Sequence, residues 1–217
     1  MKKNVVITIS RQFGSNGREI ARKLAEYLDI SYYNKEIMKQ IAEEMGLDAD
    51  FFKDENQDEH GMYSLETHGL FGMKGITELS VSSHVYERAK ELIRGIADRE
   101  SAVIVGRCAD YFLKDYDNVI TVFCYCDIEQ RIRWSIDQYN VPAKQAHKIV
   151  QVKDKQRSAF YEFHTEQKWG EPKNYDLMIN TSKMTTDEIV QLLASFYDQK
   201  MGIESFKNAF ENQYKNA

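Results

Sequence analysis

Four short apolar runs do most to restrict the folds open to this sequence: "VVITI" (5–9), "SAVIVG" (101–106), "VITVFCYC" (119–126) and "DLMIN" (176–180). Each is apolar almost without interruption, the pattern of a strand covered on both faces, as in a parallel sheet. Helical patterns lie between them. Residues 18–28 carry Ile20, Ala21, Leu24, Ala25 and Leu28 at helical spacing. Residues 185–199 carry Ile189, Leu192, Leu193 and Phe196, and "TTDE" before them reads as a capping box from Thr185 to Glu188. Strands alternating with helices predict an α/β fold with right-handed crossovers. "ISYYN" (30–34) offers a fifth strand.

Two segments depart from that alternation. Residues 35–99 read as helices around a polar, glycine-bearing middle (53–75) that has no core pattern and is expected to be mobile. Residues 140–173 are bracketed by the chain's only two prolines, Pro142 and Pro172. Pro142 suits a helix start and Gly170 its end. The tail places Ile203, Phe206, Phe210 and Tyr214 on one helical face. Docking on the body is the first reading of that face, and a homodimer contact the second.

At 217 residues the chain is long enough for one sizeable core, with a lid or insertion but without a clear second domain. A net charge of −5 argues against a nucleic-acid surface, which needs a basic face. No apolar stretch approaches the ~20 residues that span a bilayer. The apolar run in "MKKNVVITIS" is too short for a signal peptide, so a cytoplasmic protein is expected. Three cysteines, Cys108, Cys124 and Cys126, fit that compartment, and the strand pair Cys124 and Cys126 read as small buried residues, since free cysteine packs as a small hydrophobe. The five histidines show no ligand spacing, and no metal site is expected.

"SRQFGSNGREIARKLAE" (10–26) follows the first strand and enters a helix. Strand, glycine-bearing turn and helix together form the layout of a phosphate-binding loop, where backbone N–H groups and a helix N-terminus converge on an anion. Gly14 and Gly17 let the backbone turn, and Ser15 and Asn16 add donors. Against the pattern G-x-x-x-x-G-K-[ST], the first glycine position holds Gln12, the lysine is Arg18 and the hydroxyl is Glu19. Spacing alone leaves two readings, a nucleotide site and a tight structural turn.

Other stretches bear on that choice. Gly106-Arg107 ends a strand, and ligands in open α/β sheets bind beyond the carboxyl ends of strands. Arg107 therefore points into the same crevice, unless a structural carboxylate claims it. The 140–173 segment carries many cations, among them Lys153 and Arg157, four apart on one helical face with Asp154 beside them. Such a run is a solvated basic face by default, but an arm with arginine on its inner side also suits closure over a transferring phosphoryl group.

The chain resembles the cytidylate-kinase-like branch of the nucleoside monophosphate kinases. The matching stretches are "ISRQFGSNGREIARKLAE", "YYNKEI", "AVIVGRCADYFL", "CDIEQRIR", "DKQRSAFYEFH" and "NYDLMINTSKMTTDEIV", in the family's order. The resemblance implies one P-loop kinase domain, a three-layer α/β fold around a parallel sheet. Its core would be 1–34, 100–139 and 174–217, with a helical acceptor-binding insertion at about 35–99 and a helical lid at about 140–173. It implies transfer of the γ-phosphoryl of ATP, with Mg2+, to a nucleoside monophosphate such as CMP or dCMP.

Carried over by position, Arg11 and Gly14, Ser15, Asn16, Gly17, Arg18 and Glu19 would face the ATP phosphates. Arg131 and Arg157 would be the ATP-side and lid arginines. Arg107 would hold the acceptor phosphate, Asp154 would face the acceptor or its sugar, and Asn34, Lys35 and Lys153 would complete the acceptor side. Arg18, Arg157 and Asp154 are the expected catalytic groups. Two departures leave the acceptor open. Cys108 stands where the family has aspartate, with Asp110 as substitute, and Asn34 stands where an acid is expected. Glu19 either helps hold magnesium or favours the helix start, and the second is preferred. Two other functions compete with a CMP-type kinase: a regulatory nucleotide-binding protein, and a kinase with a non-nucleotide acceptor.

Overall fold

A computed structural model describes residues 4–34, 36–45 and 75–202. Lys35, most of the polar middle and the tail face from Ile203 lie outside the described residues.

The strands are β1 (Val6–Arg11), β2 (Ser31–Tyr33), β3 (Ala102–Val105), β4 (Val119–Tyr125) and β5 (Leu177–Asn180). They form one parallel sheet in the order β2-β3-β1-β4-β5. All four apolar runs are strands, and "ISYYN" supplies the fifth. The helices are α1 (Gly17–Leu28), α2 (Glu36–Met45), α3 (Gly75–Arg99), α4 (Ala109–Phe112), α5 (Ile128–Tyr139), α6 (Ala143–Thr165) and α7 (Thr186–Met201).

Alternation along β1 divides the core in two. Ile7 and Ile9 pack with Ile20 and Leu24 of α1 and Ile189 and Leu193 of α7. Val6 on the opposite face joins Ile104, Ile93 of α3, Phe112 of α4 and Tyr161 of α6. Helices thus cover both faces of the sheet, giving the three layers that buried strands require. Every side chain named here is fully or almost fully buried. Burying one such aliphatic side chain is worth about 1.5–3 kcal/mol.

The helix ends follow local chemistry. Thr185 and Glu188 form the expected capping box at α7: the Glu188 amide donates to Thr185 Oγ1 (3.3 Å), and the Thr185 amide donates to Glu188 Oε2 (2.8 Å). Pro142 is the residue before α6, as its fixed φ favours. The other end of that helix differs from expectation. It stops at Thr165 with Glu166 in the left-handed region (φ 55°), and Gly170 lies beyond it. Gly170 has φ 72°, and a Cβ there would meet the Phe123 ring at 3.1 Å. It serves the turn before Pro172–Asn174 rather than the helix end.

The 140–173 arm lies on the body along its length. Ala146, Ile149 and Val150 cluster with Phe13 and Val141, against Ile128, Ile132, Ile136 and Tyr139. Near its other end, the Tyr86 hydroxyl donates to the His164 carbonyl (3.0 Å), and the two rings stack 4.1 Å apart. Among the described residues no helix is long and apolar enough to cross a membrane.

Candidate active site

The site begins where β1 ends. In the order β2-β3-β1-β4-β5 the carboxyl end of the central β1 is flanked by those of β3 and β4, so three loops meet there. Gln12 closes the strand twice: its amide donates to the Cys124 carbonyl (3.0 Å), and its side-chain oxygen accepts from the Cys126 amide (3.1 Å). The chain then turns through Gly14 (φ 75°) and Asn16 (φ 63°) into α1 at Gly17. Gly14 is required for space as well as for φ, because a Cβ there would lie 2.5 Å from the Arg131 carbonyl oxygen.

Side chains from other elements hold this loop. Thr181 Oγ1, just after β5, donates to the Ser15 carbonyl (2.8 Å), and Asn16 Nδ2 donates to Thr186 Oγ1 (2.7 Å). Asn16 Oδ1 is buried and has no partner among the described residues. The Ser15 hydroxyl donates to the Gln12 carbonyl (2.9 Å). Asp154 of α6 accepts from the Phe13 amide (2.7 Å) and from the Arg131 guanidinium, whose Nε also donates to the Phe13 carbonyl (2.8 Å). Arg131 is 6% exposed, and its side chain is spent on these bonds. Burial pushes the Asp154 carboxyl above the ordinary value, against the Phe13 amide and Arg131, which pull it down.

The expected site arginines therefore divide. Arg131 supports the loop from behind. Arg157 Nη1 donates to the Arg11 carbonyl (3.1 Å), and the Arg157 guanidinium lies 5.5 Å from the Phe13 ring centre. Arg18 stands at the mouth with its guanidinium 5.0 Å over the Tyr139 ring. Arg11, Gly14, Ser15, Asn16, Gly17, Arg18 and Arg157 share one small hollow with Tyr139. Glu19 is turned outward in an ion pair with Arg22 (2.7 Å). The hydrogen bond from Arg22 holds its carboxyl below the ordinary range.

Next to the loop is a cavity of roughly 530 Å3, lined by Gly14, Asn16, Gln130, Trp134, Lys183 and Thr185 among others. Gln130, Trp134 and Lys183 carry no expected site role, and Thr185 only that of a helix cap. The run "NTSKMTTDE" was a signal for them only as a helix cap, since its turn touches the loop only in three dimensions.

The acceptor-side candidates lie across the crevice. Gly106, Arg107 and Cys108 have φ of 70°, 60° and 54°, three left-handed residues in succession. Two of them are not glycine, and each such residue costs about 1–2 kcal/mol. Strain of this kind collects at functional sites. Cys108 is buried. Asp110 is buried as well, accepting from the Tyr161 (2.7 Å) and Ser10 (3.4 Å) hydroxyls. Its carboxyl is pushed above the ordinary value by burial, which outweighs those hydrogen bonds. Asn34 is half-buried at the end of β2, and Lys153 is half-buried on α6.

The loop, with its helix start and arginines, can bind an anion, and the adjoining cavity is lined by polar and aromatic side chains. Among the described residues that line the hollow, the charged side chains are Arg11, Arg18 and Arg157, a set suited to positioning and charge stabilisation.

A family model described as the cytidylate kinase-like family matches residues 6–183. No curated protein matches the sequence. Among solved structures, an uncharacterized protein from Eubacterium ventriosum has a TM-score of 0.65 at 27% identity, over 90% of this chain and 99% of that one. A shikimate kinase from Bacteroides thetaiotaomicron has a TM-score of 0.52 at 14% identity, over 89% and 98% of the two chains. A shikimate kinase from Acinetobacter baumannii, in complex with shikimate, has a TM-score of 0.51 at 14% identity, over 90% and 93%. These neighbours identify the architecture as the P-loop kinase fold.

Proposed function

The chain belongs to the cytidylate kinase-like family, and from that premise we propose that it transfers the γ-phosphoryl group of ATP to a nucleoside monophosphate, CMP or dCMP first. The observation that carries this reading is the continuity of the loop hollow with the cavity of roughly 530 Å3 beside it. Gly14, Ser15 and Asn16 line both. A triphosphate on the loop thereby leads its base toward Trp134 and Gln130.

In this reading the loop N–H groups and Arg18 bind the ATP phosphates, Arg157 sits over them, and Arg107 takes the acceptor phosphate. Asp154 is a positioning residue. Asn34 and Lys153, together with Lys35 outside the described residues, remain candidates for the acceptor side. The insertion and the 140–173 arm are read as the acceptor-binding and lid parts of a single domain.

Magnesium fits as part of the nucleotide. The described carboxylates around the loop are already engaged: Asp154 by Phe13 and Arg131, Asp110 by Tyr161 and Ser10, Glu19 by Arg22. Mg2+ commonly keeps several waters and binds through substrate phosphates. ATP is accordingly taken to arrive as its magnesium chelate, with the metal contributing charge neutralisation on the phosphates.

A second reading, a kinase acting on a non-nucleotide acceptor, is favoured by one observation. Cys108 and Asp110, at and near the family's aspartate position, are both buried, and the Asp110 carboxylate is bonded to protein hydroxyls. A coupled ATP-consumption assay over a panel of nucleoside monophosphates, with and without magnesium, tests both readings. Turnover of a pyrimidine monophosphate is the expected result. Silence across the whole panel overturns the nucleotide acceptor.

A further inference from the structure

We propose that Arg11 is a bridging cation of the transfer, its guanidinium contacting oxygens of both the ATP γ-phosphate and the acceptor's phosphate. This rests on the kinase reading above and adds to it the residue that joins its two half-sites.

Arg11 is the last residue of β1, and two glycines on different elements make room for its side chain. At Gly17, the first residue of α1, a Cβ would lie 2.7 Å from Arg11 Cβ and 3.2 Å from Cγ. At Gly106, just after β3, a Cβ would collide with Arg11 Nη1. The stem thus passes the start of the phosphate loop's helix, and the head reaches the turn that carries Arg107. Gly17 has no left-handed φ to explain it. Close approach does: Arg11, and Cys124 Cβ at 3.2 Å, occupy the space a side chain would take.

The other cations are arranged around this one. Arg157 donates to the Arg11 carbonyl, and both residues line the loop hollow with Arg18. Arg18 lies toward Tyr139 at the end of α5, whereas the Arg11 head lies toward β3. One arginine therefore stands on the donor side, Arg107 stands on the acceptor side, and Arg11 reaches from one to the other.

That position suits the reaction. A bond forms from an acceptor phosphate oxygen to the γ-phosphorus while the bond to the β–γ bridging oxygen breaks, its electron pair leaving on ADP. No proton passes through Arg11, which stays a guanidinium throughout. Two anionic groups must approach each other, and a planar cation between them offsets their repulsion and the charge that spreads over the transferring group.

The test compares full-length wild type with Arg11→Met and Arg11→Lys, with thermal melts as the folding control. Steady-state constants are measured for MgATP and the best nucleoside monophosphate. Binding is measured for ATP and for an adenosine–cytidine dinucleotide joined by five phosphates, which spans both half-sites. Arg11→Met is expected to lower kcat roughly 10- to 150-fold, the size of a lost charged hydrogen bond. Both KM values should move far less, and the dinucleotide should lose more affinity than ATP. Arg11→Lys keeps the stem and the charge and should recover part of the loss. A kcat within about twofold of wild type, or equal loss of ATP and dinucleotide, overturns the bridge. Wild-type turnover decides the kinase reading separately. If wild type turns over no acceptor, that reading falls and the dinucleotide comparison alone decides Arg11. A wild type that binds neither nucleotide overturns both.

Discussion

Asp154 on α6 accepts the Phe13 amide at 2.7 Å, so a carboxylate from the helical arm is bonded directly to the backbone of the phosphate loop. The same carboxylate holds the buried Arg131. The loop, α5 and α6 are thereby joined through one side chain. Asp154→Ala leaves a buried guanidinium without its counter-ion, a change that typically costs about 3–5 kcal/mol. Urea unfolding should show that loss, with Asp154→Asn intermediate. The double variant Arg131→Met/Asp154→Leu should regain much of it. A stable Asp154→Ala protein that loses only acceptor affinity would return Asp154 to the acceptor side.

Arg18→Met removes the loop's own helix-start cation. ATP affinity or rate should fall roughly 10- to 150-fold, with an unchanged circular dichroism spectrum. Arg18→Lys should recover only part, because a compact ammonium lacks the two-pronged grip. Tyr139→Leu should cost less, about 0.5–1 kcal/mol for a cation–π contact at an exposed site. ATP titration across the three variants measures the order, and parent-like kinetics in Arg18→Met would reduce that arginine to a solvated residue.

Arg107 combines a functional expectation with a strained backbone, and two substitutions separate them. Arg107→Ala and Arg107→Gly should both raise the acceptor's KM far more than that of ATP. Glycine accepts φ 60° without penalty, so Arg107→Gly should also be the more stable of the pair by about 1 kcal/mol. Thermal melts and two-substrate kinetics check the two halves independently. Equal effects on both KM values would move Arg107 off the acceptor phosphate.

Asp110 gives a pH signature. Its folded-state pKa lies above the ordinary 3.8 because of burial. Between that value and the raised one, the folded protein binds more protons than the unfolded chain. Its contribution to stability is therefore greatest in acid and is lost as pH rises through the folded pKa. Asp110→Asn should flatten that decline, with a higher melting temperature than wild type at neutral pH and an advantage that shrinks toward pH 4. Parallel melting curves at all pH values would show that the carboxylate is not desolvated as described.

The legible parts of this molecule were those set by neighbours in sequence or by burial on both faces. "VVITI" and "AVIV" could only be interior strands, and Thr185 and Glu188 cap α7 within four residues of chain. Gly14 and Gly17 announced a close turn. What stayed hidden depended on partners distant in sequence. Arg131 reads as a cation for phosphate until α6 brings Asp154 to it. The cavity beside the loop needs Trp134 and Lys183, which the β1–β4 and β4–β5 pairings bring near Gly14. Gly106 was visible, but the left-handed φ of Arg107 and Cys108 was not, since neither residue type signals it. Gly170 was misplaced because a glycine after a helix looks the same whether it ends the helix or turns beside Phe123.

The register of β1 carries a further consequence, for the order in which this chain can fold. Val6 pairs with Ala102 on one side and Val119 on the other, and no described strand pairs with its neighbour in sequence except β2 with β3 and β4 with β5. The central strand must therefore wait, as a nascent polypeptide, until both partners have left the ribosome at about 5–20 residues per second. Long-range parallel pairing of this kind is slow to nucleate. Until then "VVITI" is an unpaired apolar segment, and the loop after it lacks the strands that flank it in the sheet.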